Sequence, residues 1–184
     1  MGDGGNSSGK TNKIFNIRIS AELDEETLRK YLMKYKIALQ PNKHIATWQK
    51  ISKTISENWG TLTKLLEASN YDFLKLRELV TKTFKKGFPY LSGPKIFNYW
   101  SSIIQEYGGI KLKNSEYIEI APDTHITKCS VILGVISEDE AQNISKEKIS
   151  EKWREILAGT GITPIEMHPP LWFWSRNNFQ LKLN

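Results

Sequence analysis

The 184-residue chain carries a single cysteine, Cys129, and three histidines. One thiol excludes an internal disulfide. It also excludes an all-cysteine zinc or iron–sulfur site, which needs about four thiolates. No apolar run approaches the roughly 20 residues of a membrane span, and the N-terminus lacks the apolar stretch of a secretory signal, so a cytoplasmic location is expected. No internal repeat is visible, and no series of alternating apolar residues long enough for a sheet. No histidine pair has metal-ligand spacing, so neither a metal nor another cofactor is expected.

What is present is an ordinary globular composition, 39% hydrophobic and 25% charged, with a net charge of +6. That length suits one domain able to bury a sizeable core. The positive excess suits phosphate backbones or acidic surfaces without deciding between them.

The apolar pattern is helical almost throughout. Residues 1–11 are rich in Gly, Ser and Asn and read as flexible, leaving 12–184 as a single domain. From Asp24 to Leu39, Leu28, Tyr31, Leu32 and Tyr35 share a stripe. From Asn42 to Trp59 the stripe is Ile45, Trp48, Ile51 and Ile55. Thr61 and Asp72 suit helix caps, the second before an inner face of Phe73, Leu76, Val80 and Phe84. Gly87 to Pro94 reads as a tight connection and Pro94 to Tyr107 as a helix. Gly108 to Ile120 reads as a loop or short hairpin. Pro122 is expected to open a helix running to Leu133. Further helices are expected over Ser145–Leu157 and from Pro169 or Pro170 onward. The fold class expected is all-α.

Gly4-Gly5-Asn6-Ser7-Ser8-Gly9-Lys10-Thr11 fits the phosphate-loop pattern letter for letter. That motif needs a strand to deliver the loop, and only three residues precede its first glycine. A nucleotide hydrolase built on Lys10 is therefore the weakest reading.

Two other segments carry more chemistry. Leu91-Ser92-Gly93-Pro94-Lys95 and Ile120-Ala121-Pro122-Asp123-Thr124-His125 each set one reactive side chain just after a proline, at an expected helix start. A lysine there opposes the helix dipole by roughly 0.3–1 kcal/mol, whereas an aspartate there is an ordinary cap. The same field, with partial burial, favours the neutral amine, which is the nucleophilic form. An amine and a carboxylate together are the groups needed to displace a base from a deoxyribose. Lys95 also has a plain reading as a surface lysine, and Asp123 as a cap alone.

These segments resemble the helix-hairpin-helix DNA glycosylases, in which a Leu-x-Gly turn precedes a catalytic lysine and a stretch like Ile-x-Val-Asp-Thr-His supplies a catalytic aspartate. Gly161-Ile162-Thr163-Pro164-Ile165 and Pro170-Leu171-Trp172-Phe173-Trp174-Ser175-Arg176 are similar to the closing region of the archaeal 8-oxoguanine glycosylase branch. The resemblance covers roughly the C-terminal half. The chain departs from the pattern in having one glycine in its hairpin turn, a longer stretch between the two motifs, and His168-Pro169-Pro170 where an acidic residue is expected.

The resemblance implies a two-lobed helical domain with a cleft between the lobes, a monomer acting on double-stranded DNA with damaged bases or abasic sites. It implies that Lys95 and Asp123 are catalytic in base release and a lyase step. Ser92, Gly93, Lys85, Lys86 and His125 are the expected DNA contacts. Trp172 is the candidate to stack on the extruded base, although aromatics on a last helix are more often core. His168 reads as a packing residue or a hydrogen-bond partner, and Cys129 as a core residue. The alternative is a non-catalytic helix-hairpin-helix module that binds nucleic acid.

Overall fold

A computed structural model describes residues 14–34, 36 and 40–180. The phosphate-loop-like stretch at Gly4–Thr11, with Tyr35 and Leu39 of the first expected stripe, lies outside them. Among the described residues the regular structure is helical, with no strand. One isolated parallel bridge joins Asp72 to Lys113. No described helix is long and apolar enough to cross a membrane. Backbone contacts divide the chain into two units, Met1–Tyr71 with Lys75–Ser92, and Asp72–Leu74 with Gly93–Asn184.

In the first unit Asn16 caps α1 (Ile17–Glu22) by accepting from the amides of Arg18 and Ile19. No expectation from the apolar pattern covered this helix. Helix α2 (Glu25–Lys34) is shorter than the expected 24–39, with Leu28 and Leu32 buried. Pro41 is the first residue of α3 (Pro41–Asn58), where it gives up no needed hydrogen bond. Ile14, Leu28, Leu32 and Ile45 form one cluster, with Tyr31 and Trp48 packed against it.

Thr61 caps α4 (Leu62–Ala68) as expected, accepting from the Lys64 amide. Helix α5 (Phe73–Glu78) gives way to a π-helical turn at Leu79–Thr83 and a 3-10 turn at Lys85–Gly87. Trp59 meets the edge of Phe84, with ring centroids 4.7 Å apart, and Leu65, Leu66, Leu76 and Val80 are fully buried.

In the second unit Phe73 packs on Phe97 of α6 (Pro94–Gly108), which ends at left-handed Gly109. The stretch from Gly108 to Ile120 holds a 3-10 turn at Ser115–Tyr117 and forms no hairpin. Helix α7 (Thr124–Ile132) is capped by Asp123 and so begins two residues after the expected opening at Pro122. Proline stands just outside the helix, and the aspartate accepts its first free amides.

Helix α8 (Glu138–Asn143) was not expected from the sequence, although Ser137 and Glu140 form a reciprocal capping box. Helix α9 (Lys146–Leu157) is capped by Ser145. Helix α10 (His168–Arg176) follows a 3-10 turn at Pro164–Met167 and begins one residue before the expected prolines.

The core of this unit is Ile120, Ile126, Cys129, Ile136, Ile149, Trp153 and Leu171. Its polar groups are paired across elements: Trp153 Nε1 donates to Ser130 Oγ at 2.8 Å, and Ser150 Oγ donates to the Ile120 carbonyl at 3.0 Å. Those bonds tie α9 to α7 and to the segment that precedes Asp123.

Candidate active site

The site is built from helix starts. Gly93, in extended conformation, caps α6, and Pro94 fills the first position without an amide to satisfy. Lys95 is therefore the second residue of that helix. Asp123 divides its carboxylate between two tasks. Oδ1 accepts from the amides of His125 and Ile126 at 3.0 and 3.1 Å. Oδ2 lies 3.7 Å from Lys95 Nζ. Two residues far apart in sequence thus meet at the N-termini of α6 and α7.

The Lys95 side chain is 58% exposed and that of Asp123 is 28% exposed. The partial burial expected of the amine is therefore not what is found. Lys95 extends into solvent, because nothing at the second position of α6 covers it. A pair this open and this long contributes little to stability, about 0–1 kcal/mol.

A pocket of about 270 Å³ opens beside Lys95, walled in part by Pro94, Asn98, Ile120, Ala121 and Ser150, with Lys146 and Glu147 also lining it. Glu119 completes a lining that mixes apolar walls with four charged side chains, and the pocket is smaller than a typical small-ligand cleft. Trp172 is not among its walls.

His168, which sequence reasoning assigned to packing or a hydrogen bond, stands at the start of α10 and is 7% exposed. Its Nδ1 is buried without a partner among the described residues. Burial pushes the imidazole pKa below its ordinary value; the Asp123 charge opposes this and the Lys95 charge reinforces it. A neutral ring is the consequence near pH 7. Tyr99, one turn after Lys95, meets the His168 ring edge-on at 6.1 Å. The spacing of four residues between Lys95 and Tyr99 was a usable signal for that neighbourhood, since it places both on one helix face.

The other expected contacts fall into two groups. His125 holds its Nδ1 3.0 Å from Ser175 Oγ and meets Trp172 edge-on at 5.5 Å. Arg176 lies over the Trp172 ring at 4.8 Å. His125 and Trp172 are therefore joined in a stack between α7 and α10, with Trp172 also packed against the core of its unit. Phe173 is the exposed aromatic of α10, at 59%.

Lys85, Lys86 and Ser92 belong to the first unit. The two lysines are exposed and line a depression with Thr54, Asn58 and Lys82. The Ser92 amide already donates to the Phe88 carbonyl at 2.9 Å, so it is not free to grip a phosphate. Among the described residues no group of three or more His, Cys, Asp or Glu side chains is placed to hold a metal. No protein-family model, curated protein or solved structure matches this chain.

Proposed function

We propose that this chain is a DNA base-excision enzyme, a glycosylase with an accompanying lyase step, acting as a monomer on double-stranded DNA that contains damaged bases or abasic sites. The observation that carries the reading is the 3.7 Å approach of the Lys95 amine to the Asp123 carboxylate, with the amine open to solvent. A solvent-exposed amine beside a fixed anion suits attack on a large substrate that arrives from outside.

In this mechanism the target nucleotide leaves the stack, at a cost of a few kcal/mol. Lys95, having lost a proton to water while Asp123 stays ionised, bonds through its nitrogen lone pair to the sugar C1′. The bond from C1′ to the base breaks, and its electron pair leaves with the base, which takes up a proton. Asp123 stabilises the positive charge that builds on the sugar, the electrostatic logic of a carboxylate beside an oxocarbenium-like centre. Opening of the sugar ring then yields a Schiff base on Lys95. Loss of a C2′ proton expels the 3′ phosphate by cleavage of the C3′–O bond, and water releases the enzyme. Asp123 is held for this task by its own helix, since two amides fix Oδ1 and leave Oδ2 turned to the amine. The two-lobed helix-hairpin-helix arrangement belongs to the same proposal.

Borohydride reduction on DNA with an abasic site tests the reading. The full-length chain is expected to form a covalent adduct that Lys95→Gln abolishes. No adduct from the natural sequence, or an undiminished one from Lys95→Gln, overturns the lyase mechanism. A second reading, a binding module without catalysis, draws on the cap bonds of Asp123, which are by themselves a sufficient structural role. Salt-sensitive binding with no base release from any lesion would favour it.

A further inference from the structure

Seven non-glycine residues among those described have positive φ, and three of them are aromatic: Tyr71 at 52°, Tyr90 at 61° and Phe179 at 59°. Bulky side chains enter this region only against a steric cost, so each needs something to offset it. Phe179 meets the edge of Trp174 at 5.1 Å and packs on the core of its unit. Tyr71 is partly buried. Tyr90 has neither form of compensation, since the residue is 60% exposed.

The turn that holds Tyr90 is locked twice. The Leu91 amide donates to the Pro89 carbonyl at 2.7 Å, which closes a three-residue turn with Tyr90 at its centre, and the Ser92 amide donates to the Phe88 carbonyl at 2.9 Å. A three-residue turn with positive φ at its centre is the rare and strained form, where glycine would be at ease. Phe88 is fully buried and Leu91 is 7% exposed, so both neighbours of the Pro89–Tyr90 tip are anchored inward. The Tyr90 backbone is thereby held by the turn while the residue itself stays largely exposed. Lys85 and Lys86, both exposed, precede it on the adjoining 3-10 turn.

We propose that Tyr90 is a stacking residue for a nucleobase in a strand whose pairing is broken. The lysines would engage the phosphates of the same strand. An exposed ring on a hydrogen-bonded turn, with two exposed lysines on the turn that precedes it in sequence, suits a base and its backbone. The inference rests on the nucleic-acid reading above and adds a contact that the reading did not contain. It also explains why the chain tolerates strain that a single substitution to glycine would remove.

The test measures two quantities on the same variants of the full chain: the unfolding temperature, and affinity for a fluorescent duplex bearing a stable abasic analogue or for its intact counterpart. Tyr90→Gly is expected to raise the unfolding temperature while weakening binding to the abasic duplex about tenfold, with a smaller effect on the intact one. Tyr90→Phe should keep affinity within about twofold, because the ring face is retained. Unchanged affinity in Tyr90→Gly, or a fall in its unfolding temperature, overturns the stacking role. If the natural sequence binds neither duplex, this inference and the enzyme reading fall together. If it binds and loses affinity in Tyr90→Gly but gives no borohydride adduct, only the lysine chemistry falls.

Discussion

Asp123 holds two roles in one side chain, and the two oxygens let them be separated. Oδ1 caps α7 and Oδ2 faces Lys95. Asparagine caps a helix about as well as aspartate, whereas alanine costs roughly 0.5–2 kcal/mol. Asp123→Asn is therefore expected to unfold at nearly the natural denaturant midpoint yet lose base release, while Asp123→Ala loses both. Equal activity in Asp123→Asn would show the carboxylate to be a cap alone.

A second residue-scale constraint is Gly87. A Cβ at that position would lie 2.5 Å from both Thr54 Cγ2 and Thr54 Oγ1, and Thr54 Oγ1 also donates to the Gly87 carbonyl at 3.1 Å. Gly87→Ala should destabilise the fold by about 1–3 kcal/mol. Combining it with Thr54→Ala should cost less than the sum of the single changes, because the colliding atoms are removed. Chemical denaturation of the four proteins checks this. At this scale the helix-start positions of Lys95 and Asp123 were legible, because each follows a proline, whereas their approach to one another was expected only from the family resemblance. Tyr90 was not legible, because φ is a property of the turn and leaves no mark on residue type. His168 is buried, as a packing residue would be, but its unpartnered nitrogen depends on what surrounds it and was not legible.

A cap residue alone did not make an element legible, since α1 and α8 are both capped and were not expected, whereas an apolar stripe or an opening proline did. Helices α3, α4, α6 and α9 fall close to their expected bounds, each with a cap residue or a terminal proline to mark its start. Helices α1 and α8 have six residues each, too few for an apolar period to emerge. The stripe Phe73, Leu76, Val80 and Phe84 reads as one continuous helix, but its backbone widens into a π-helical turn at Leu79. Side-chain spacing alone does not report that change of hydrogen-bond register.

Helix α10 carries a pH-dependent prediction through its first residue, His168. Burial holds its native pKa below the ordinary 6.5, while the unfolded chain titrates near that value. Between the two, the unfolded state binds more protons, so stability is full above about pH 6.5 and declines as pH falls toward the native pKa. Asp24, Glu140 and Glu151, held low by hydrogen bonds, titrate below their ordinary 3.8–4.5 and so outside this window. Denaturant midpoints between pH 5 and pH 8 are expected to fall on acidification in the natural sequence and to flatten in His168→Asn. Parallel curves for the two proteins would remove His168 as the source.

For the whole molecule, the net charge of +6 sets how nucleic acid would be held. Lysines that neutralise phosphates release condensed counterions, so the logarithm of affinity falls linearly with the logarithm of salt, by roughly 0.9 for each phosphate contacted. Lys85 and Lys86 are exposed on one short turn and line the same depression as Lys82, which is itself held by Glu78 at 2.8 Å. They are thus the freer charges of that group. Replacing both with alanine is expected to lower the salt slope by about two and to weaken binding equally for every duplex sequence, since phosphate contacts position without reading bases. Lys95→Gln, whose proposed partner is a sugar carbon, should leave the slope nearly unchanged while abolishing the borohydride adduct. Affinity measured from 50 to 200 mM salt separates these roles. A slope that stays constant when Lys85 and Lys86 are removed would place the phosphate contacts elsewhere on the chain, while a fall in slope with Lys95→Gln would make that lysine an anchor instead of a nucleophile.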